Sequence, residues 1–155
     1  MYYDDIELGT TVRVGSYRID ANDIVSYARQ WDPLPVHVDE QAAKQTMFGG
    51  LTASGSHTLA IRTLLLHRVP IQDGVIAAGG WDEVRFHKPV RPGDELWLEV
   101  TWIEKRQSVS KPDRGIVTAL MKLLNQDGDV VLSHRDVIIM RLRKETEGGQ
   151  TSATK

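Results

Sequence analysis

A single α+β domain, one antiparallel sheet wrapped around a long helix, is the fold this sequence predicts, and three observations predict it. The stretch 54–66 reads as a helix that is apolar around most of its circumference, with Arg62 its only strongly charged residue. A helix of that kind is enclosed by other elements rather than laid on a surface. Four runs in the second half, 75–87, 95–107, 114–126 and 129–143, are rich in Val, Ile, Leu and Trp, and Pro92-Gly93-Asp94, Lys111-Pro112-Asp113 and Asp127-Gly128 separate them. Strand-like runs bounded by such turn signals read as an antiparallel meander. The 155 residues, 41% hydrophobic and 26% charged, are enough for one core of this kind.

The elements follow in order. Residues 11–19 alternate in part between apolar and polar and predict a first strand. Asp20 then stands as an N-cap with Asp23 three residues on. Ile24, Tyr27, Ala28 and Trp31 recur at helical spacing, which predicts a helix over 21–31. Pro33 and Pro35 end it, so Asp32 falls at or just past its C-terminus, and 32–37 is expected to be a stiff, non-helical loop. Asp39 caps a short second helix that carries Ala42 and Ala43 and ends at Phe48-Gly49-Gly50. Ser54 or Ser56 caps the long helix, and Pro70 stops it. Within 95–102, Leu96, Leu98, Val100 and Trp102 alternate with Glu95, Trp97, Glu99 and Thr101, giving one buried face at period two. Trp97, on the other face, is a candidate subunit contact. Asp127-Gly128 predicts a type I′ hairpin turn, which needs positive φ at both central residues. The domain is expected to cover 1–143. The segment 144–155 has almost nothing to bury and is expected to be disordered.

Composition excludes several kinds of function. A net charge of −2 offers no electrostatic footprint for nucleic acid or an anionic membrane. With no cysteine, disulfides, thiolate metal sites and a cysteine nucleophile are ruled out. The acidic first residues do not form a signal peptide, and no apolar run approaches the roughly 20 residues that span a bilayer. A cytoplasmic domain is expected.

The chemistry-bearing residues cluster at Trp31-Asp32-Pro33-Leu34-Pro35-Val36-His37. A carboxylate and an imidazole five residues apart on a stiff segment can converge on one water molecule, as reversible addition of water to a double bond requires. Each has an ordinary structural reading alone, Asp32 as a turn residue before proline and His37 as a satisfied or exposed histidine. His57 reads as structural, His67 as a partner of the helix dipole, and His87 and His134 lack companions at metal-ligand spacing. Ser54-Gly55-Ser56 does not form the Gly-x-Ser-x-Gly elbow of a hydrolase, and Gly49-Gly50 is not followed by the lysine of a phosphate loop.

Asp-Pro-Leu-Pro-Val-His at 32–37, with Asp39-Glu40, Ala42-Ala43, Phe48-Gly49-Gly50 and Ala53-Ser54-Gly55 after it, resembles the MaoC-like hydratases and dehydratases. These are hotdog-fold enzymes that include the R-specific enoyl-CoA hydratases. The segment 81–94 is similar to the family's second strand and the Pro-Val-x-x-Gly-Asp turn behind it. The resemblance covers about 5–142 and implies that Asp32 and His37 are catalytic, with the Gly55 amide polarising a thioester carbonyl. It also places Thr63 where the family often has serine. Two positions depart from the pattern: Leu34 replaces an asparagine, and Ser54 stands where histidine is frequent. Ser54 and Thr63 are carried as substrate-binding positions. Arg85, Lys88 and Arg91 read either as contacts for the phosphates of coenzyme A or as solvated edge charge that discourages strand pairing. The implied function is a hydro-lyase joining a trans-2-enoyl thioester to its (R)-3-hydroxyacyl thioester. It would act as a homodimer with sheets joined edge to edge, and without metal or redox cofactor, coenzyme A entering as part of the substrate. The rivals are a thioesterase on the same fold and a non-catalytic acyl-CoA-binding or partner subunit of a heteromeric dehydratase.

Overall fold

The computed structural model describes residues 1–144. After a single 3-10 turn at Tyr3–Asp5, the chain forms β1 (Thr11–Arg18), α1 (Ala21–Trp31), α2 (Pro35–Val38), α3 (Glu40–Lys44) and α4 (Gly55–Leu66). Four strands follow, β2 (Val75–Phe86), β3 (Glu95–Gln107), β4 (Arg114–Leu124) and β5 (Val130–Arg141). The expected tail lies, apart from Lys144, outside the described residues.

The caps read from the sequence are present. Asp20 and Asp23 form a reciprocal capping box at the start of α1. The Asp39 carboxylate accepts from Gln41 and Ala42 N–H to open α3. Ser54, not Ser56, caps α4 by accepting the His57 N–H at 3.1 Å.

All strand pairs are antiparallel, in the order β1-β3-β4-β5-β2. A meander therefore holds only from β3 to β5. β2 does not pair with β3; it lies at the far edge against β5, and β1 takes the place beside β3. The physical reason is the connection: 87–94 holds Pro89 and Pro92, too long and too proline-rich for a tight hairpin, and it carries the chain across the sheet. The β4–β5 turn differs from expectation too. Only Gly128 has positive φ there, at +78°, and Gly128 N–H donates to Asn125 C=O at 3.1 Å. The Asn125 side-chain oxygen takes the Asp127 and Asp129 N–H groups, so the loop closes as a turn with a bulging left-handed glycine rather than as a type I′ turn.

One face of the sheet carries the core. Leu96, Leu98, Val100 and Trp102 of β3 and Val117, Ala119, Met121 and Leu123 of β4 are fully buried, in strict alternation along β3 and the inner positions of β4. Ile61 and Leu65 of α4 join the same cluster. This is a hotdog fold, the sheet wrapped on α4. Trp97, the candidate subunit contact, is half-buried: its ring fills the space over Gly15 where a Cβ would stand, and Arg13 lies 5.5 Å from its centroid.

Candidate active site

α1 delivers Asp32 and α2 delivers His37. Asp32 is the C-cap of α1, its N–H bonded to Ala28 C=O at 2.8 Å and its backbone already out of helical geometry. Leu34 is extended, as a residue before proline must be. The next residue, however, starts a helix. Pro35 occupies the first position of α2, where its missing N–H costs nothing and its fixed φ favours the turn, so 35–38 is helical and not the loop expected. His37 thus stands on a single helical turn facing the end of α1. His37 Nε2 lies 3.7 Å from Asp32 Oδ2, with the imidazole largely buried and the carboxylate about one-third exposed.

The other ring nitrogen decides the tautomer. His37 Nδ1 is 2.6 Å from the Thr52 carbonyl oxygen, which can only accept, so Nδ1 carries a proton and Nε2 is the ring nitrogen turned toward Asp32. Thr52 is fixed in turn: its N–H donates to Val36 C=O at 3.2 Å, and Ala53 N–H donates to Val90 C=O at 2.8 Å.

Three residues beyond Thr52, Gly55 begins α4, where backbone N–H groups lack intrahelical partners and the helix dipole is positive. The Phe86 ring rests on Gly55, and a Cβ there would come within 2.8 Å of it. A side chain at this position would have to displace that exposed ring. Asp32's partner His37, Gly55, Leu34, Phe86 and Lys88 open on one cavity of about 500 Å³, within the range that holds small-molecule ligands. A larger cleft of about 1200 Å³ near the chain's ends, between Tyr2 and Arg143, has no histidine and lies away from this pair.

The remaining expected site residues separate. Ser54 is fully buried, and its hydroxyl is occupied in capping α4. Thr63 donates to Leu59 C=O at 3.0 Å and does not line the cavity. Lys88 lines it while pairing with Asp129 at 2.6 Å. Arg91 donates to Phe48 C=O at 2.6 Å and braces the loop beside the cavity, and Arg85 is exposed, its guanidinium turned to the Val84 carbonyl. Among the wall residues that escaped the sequence reading are Thr52, Thr58 and Phe86. Phe86 alone carried a signal, as a large apolar residue at the end of a strand with no partner pattern. His57, read as structural, is stacked on Tyr27 at 4.2 Å, and burial lowers its pKa.

Among known proteins, the family model described as MaoC like domain matches residues 6–122. An uncharacterized protein of Bacillus subtilis, YdeM, is 34% identical over 127 residues, 81% of this chain and 89% of that protein. The crystal structure of a MaoC-like dehydratase from Rhodospirillum rubrum superposes with a TM-score of 0.88 at 38% identity, covering 93% of this chain and 99% of that one. The R-hydratase PhaJ1 from Pseudomonas aeruginosa gives a TM-score of 0.72 at 26% identity, over 92% of this chain and 86% of that one.

Proposed function

Because the chain belongs to the MaoC-like domain family, we propose that it is a hydro-lyase interconverting a trans-2-enoyl-CoA and its (R)-3-hydroxyacyl-CoA. The observation that carries this reading is the His37 ring, protonated toward Thr52 and open at Nε2 beside Asp32, in a cavity that also holds the start of α4. A water held between Asp32 and His37 Nε2 adds to C3 of the enoyl group as His37 takes its proton. The π electrons move onto the thioester oxygen as an enolate, which the Gly55 N–H stabilises at the positive end of the helix. The proton passes from His37 to Asp32, 3.7 Å away, and from Asp32 to C2 as the carbonyl re-forms. Water is consumed whole, and both side chains end as they began.

The likeness to R-hydratase PhaJ1 supports the R isomer. Lys88, at the cavity's edge, is the cation best placed for a coenzyme A phosphate. The reading includes a homodimer joined along β2 and a cytoplasmic setting; no helix among the described residues is long and apolar enough to cross a membrane. The test is hydration of crotonyl-CoA, followed as loss of the conjugated enoyl absorbance. Asp32→Asn and His37→Gln should each lower turnover by about two or more orders of magnitude, the scale of lost acid–base catalysis. Release of free thiol in place of hydration would sink the proposal in favour of a thioesterase.

A further inference from the structure

Leu34 is an apolar side chain in a place where local structure asks for a polar one. It is the N-cap of α2, a position at which Asn, Asp, Ser or Thr would accept a free backbone N–H, and it makes no such bond. Nor does it contribute to the core. Leu34 is 56% exposed and lies outside both the buried cluster and the partly buried residues packed on it. What it does line is the candidate cavity. A leucine that neither caps its helix nor packs in the core is left with the cavity as its apolar role.

Two aromatic rings share the cavity and the same circumstance. Phe48 and Phe86 both line it and both lie outside the core cluster, Phe86 with 54% of its surface exposed. Scattered apolar side chains on a surface need no explanation, but three converging on one cavity form a patch that a ligand covers. Phe48 is held by its backbone, whose carbonyl accepts from Arg91 Nη2 at 2.6 Å. Leu34 is held closer to the chemistry. Its N–H donates to Asp32 C=O at 2.9 Å, and its own C=O accepts from the His37 N–H at 2.9 Å. Its backbone is therefore fixed between the two groups proposed to act on water.

We propose that Leu34 sets the acyl-chain preference of this site: with Phe48 and Phe86 it forms a hydrocarbon wall that favours an unsubstituted acyl chain longer than four carbons. The inference rests on the hydratase reading and names the substrate class of that same cavity. In that reading the thioester carbonyl carbon, C1, lies at Gly55, and C3 lies at Asp32 and His37. The line from Gly55 to the pair thus runs along the acyl group from C1 to C3. The chain beyond C3 continues it past the pair's own segment, to which Leu34 belongs. Crotonyl has a single carbon beyond C3 and covers little of this wall; an octenoyl chain has five. Each added methylene strengthens binding by about threefold to fourfold where it is fully covered. The pantetheine arm of coenzyme A also has apolar surface, but its amides need hydrogen-bond partners, and the side chains of Leu34, Phe48 and Phe86 offer none.

The test compares kcat and KM for trans-2-octenoyl-CoA and crotonyl-CoA, with calorimetric binding of octanoyl-CoA and butyryl-CoA beside them. The wild type should favour octenoyl-CoA in kcat/KM by about tenfold or more, the scale of added methylenes that are partly covered. Leu34→Asn, which supplies a cap while removing the hydrocarbon, should cut that ratio by about fivefold or more, through the KM for octenoyl-CoA. Leu34→Met, which keeps the apolar volume, should retain it. Urea unfolding of the same variants separates these effects from folding, because Leu34→Asn is expected to gain stability as it loses the preference. Equal use of the two enoyl thioesters by the wild type overturns the inference and leaves the hydratase reading intact. A loss in Leu34→Asn that is the same for both chain lengths overturns it too, and assigns Leu34 to the coenzyme A arm that both ligands share. If neither enoyl thioester is hydrated, the hydratase reading falls and calorimetry decides the wall. Tighter binding of octanoyl-CoA that Leu34→Asn abolishes supports it, and equal binding overturns it.

Discussion

His37 gives one ring nitrogen to the Thr52 carbonyl and turns the other toward Asp32, and under the proposed reaction that division fixes what each nearby substitution should do. Gly55→Ala is the most informative of them. A Cβ at that position meets the Phe86 ring at 2.8 Å, yet Phe86 is itself 54% exposed and can swing away. The fold should therefore absorb the change while the thioester loses its approach to the amide. We expect kcat/KM to fall by about one to two orders of magnitude with little change in Tm, checked by enoyl-CoA hydration and thermal unfolding of the same preparation. The pairing of Asp32 with His37 was legible because their spacing and proline context are local, whereas Gly55 was singled out only by the family resemblance. The bond from His37 to Thr52 was not, since it joins residues fifteen apart through a backbone carbonyl, which leaves no mark on residue type. Arg62 was visible as the lone charge on an apolar helix, but its partner Asp136 lies 74 residues away and only the sheet brings them together.

At the scale of elements, the turn α2 shows why proline misleads. Two prolines in three residues argue against helix until one of them falls at the first helical position, where it favours one. The N-cap of that turn is Leu34, which has no side chain able to accept a hydrogen bond and stands 56% exposed at the cavity. Leu34→Asn should therefore stabilise the protein by about 0.5–1 kcal/mol by supplying the missing cap, read from the midpoint of urea unfolding. Ser54→Ala acts in the opposite sense, removing the buried cap of α4, and should cost about 1 kcal/mol or more in the same assay. The caps of α1 and α3 could be read directly, and that of α4 narrowed to Ser54 or Ser56, because a cap is a contact within three residues. The placement of β2 could not. Its residues alternate weakly, and whether a strand pairs with its successor or crosses to the far edge depends on the loop and on which edge remains free.

The whole molecule exposes that far edge. β2 is the least buried strand, with Trp81 and Phe86 among its large exposed side chains, and an unprotected edge invites pairing with another chain. A homodimer along β2 predicts twice the chain mass in native mass spectrometry and in sedimentation. A monomer at micromolar concentration would exclude it. Stability of the fold should also respond to acid. Burial, reinforced by the Arg62 charge, lowers His134 to about 4, and burial lowers His57 as well. In both cases the unfolded chain holds its proton more readily than the folded one. Stability is thus complete above the ordinary histidine range and falls as the pH drops from about 6.5 to about 4. Asp136, raised by burial against the pull of Arg62, works in the opposite direction where it takes up its proton. Urea unfolding should show a declining midpoint across that interval, and His134→Phe should flatten it.

Thr52 has a consequence for how the site tolerates motion. Its carbonyl orients His37, the proposed base, its N–H is tied to Val36 one residue before that histidine, and three residues later the same run of backbone begins α4 with the amide proposed to face the thioester oxygen. The proposed base and oxyanion donor are thus mounted on one short bracket, riveted to Val90 through Ala53. A shift of this segment would act on both groups at once, so their relative placement depends on one short run of backbone rather than on two independent loops.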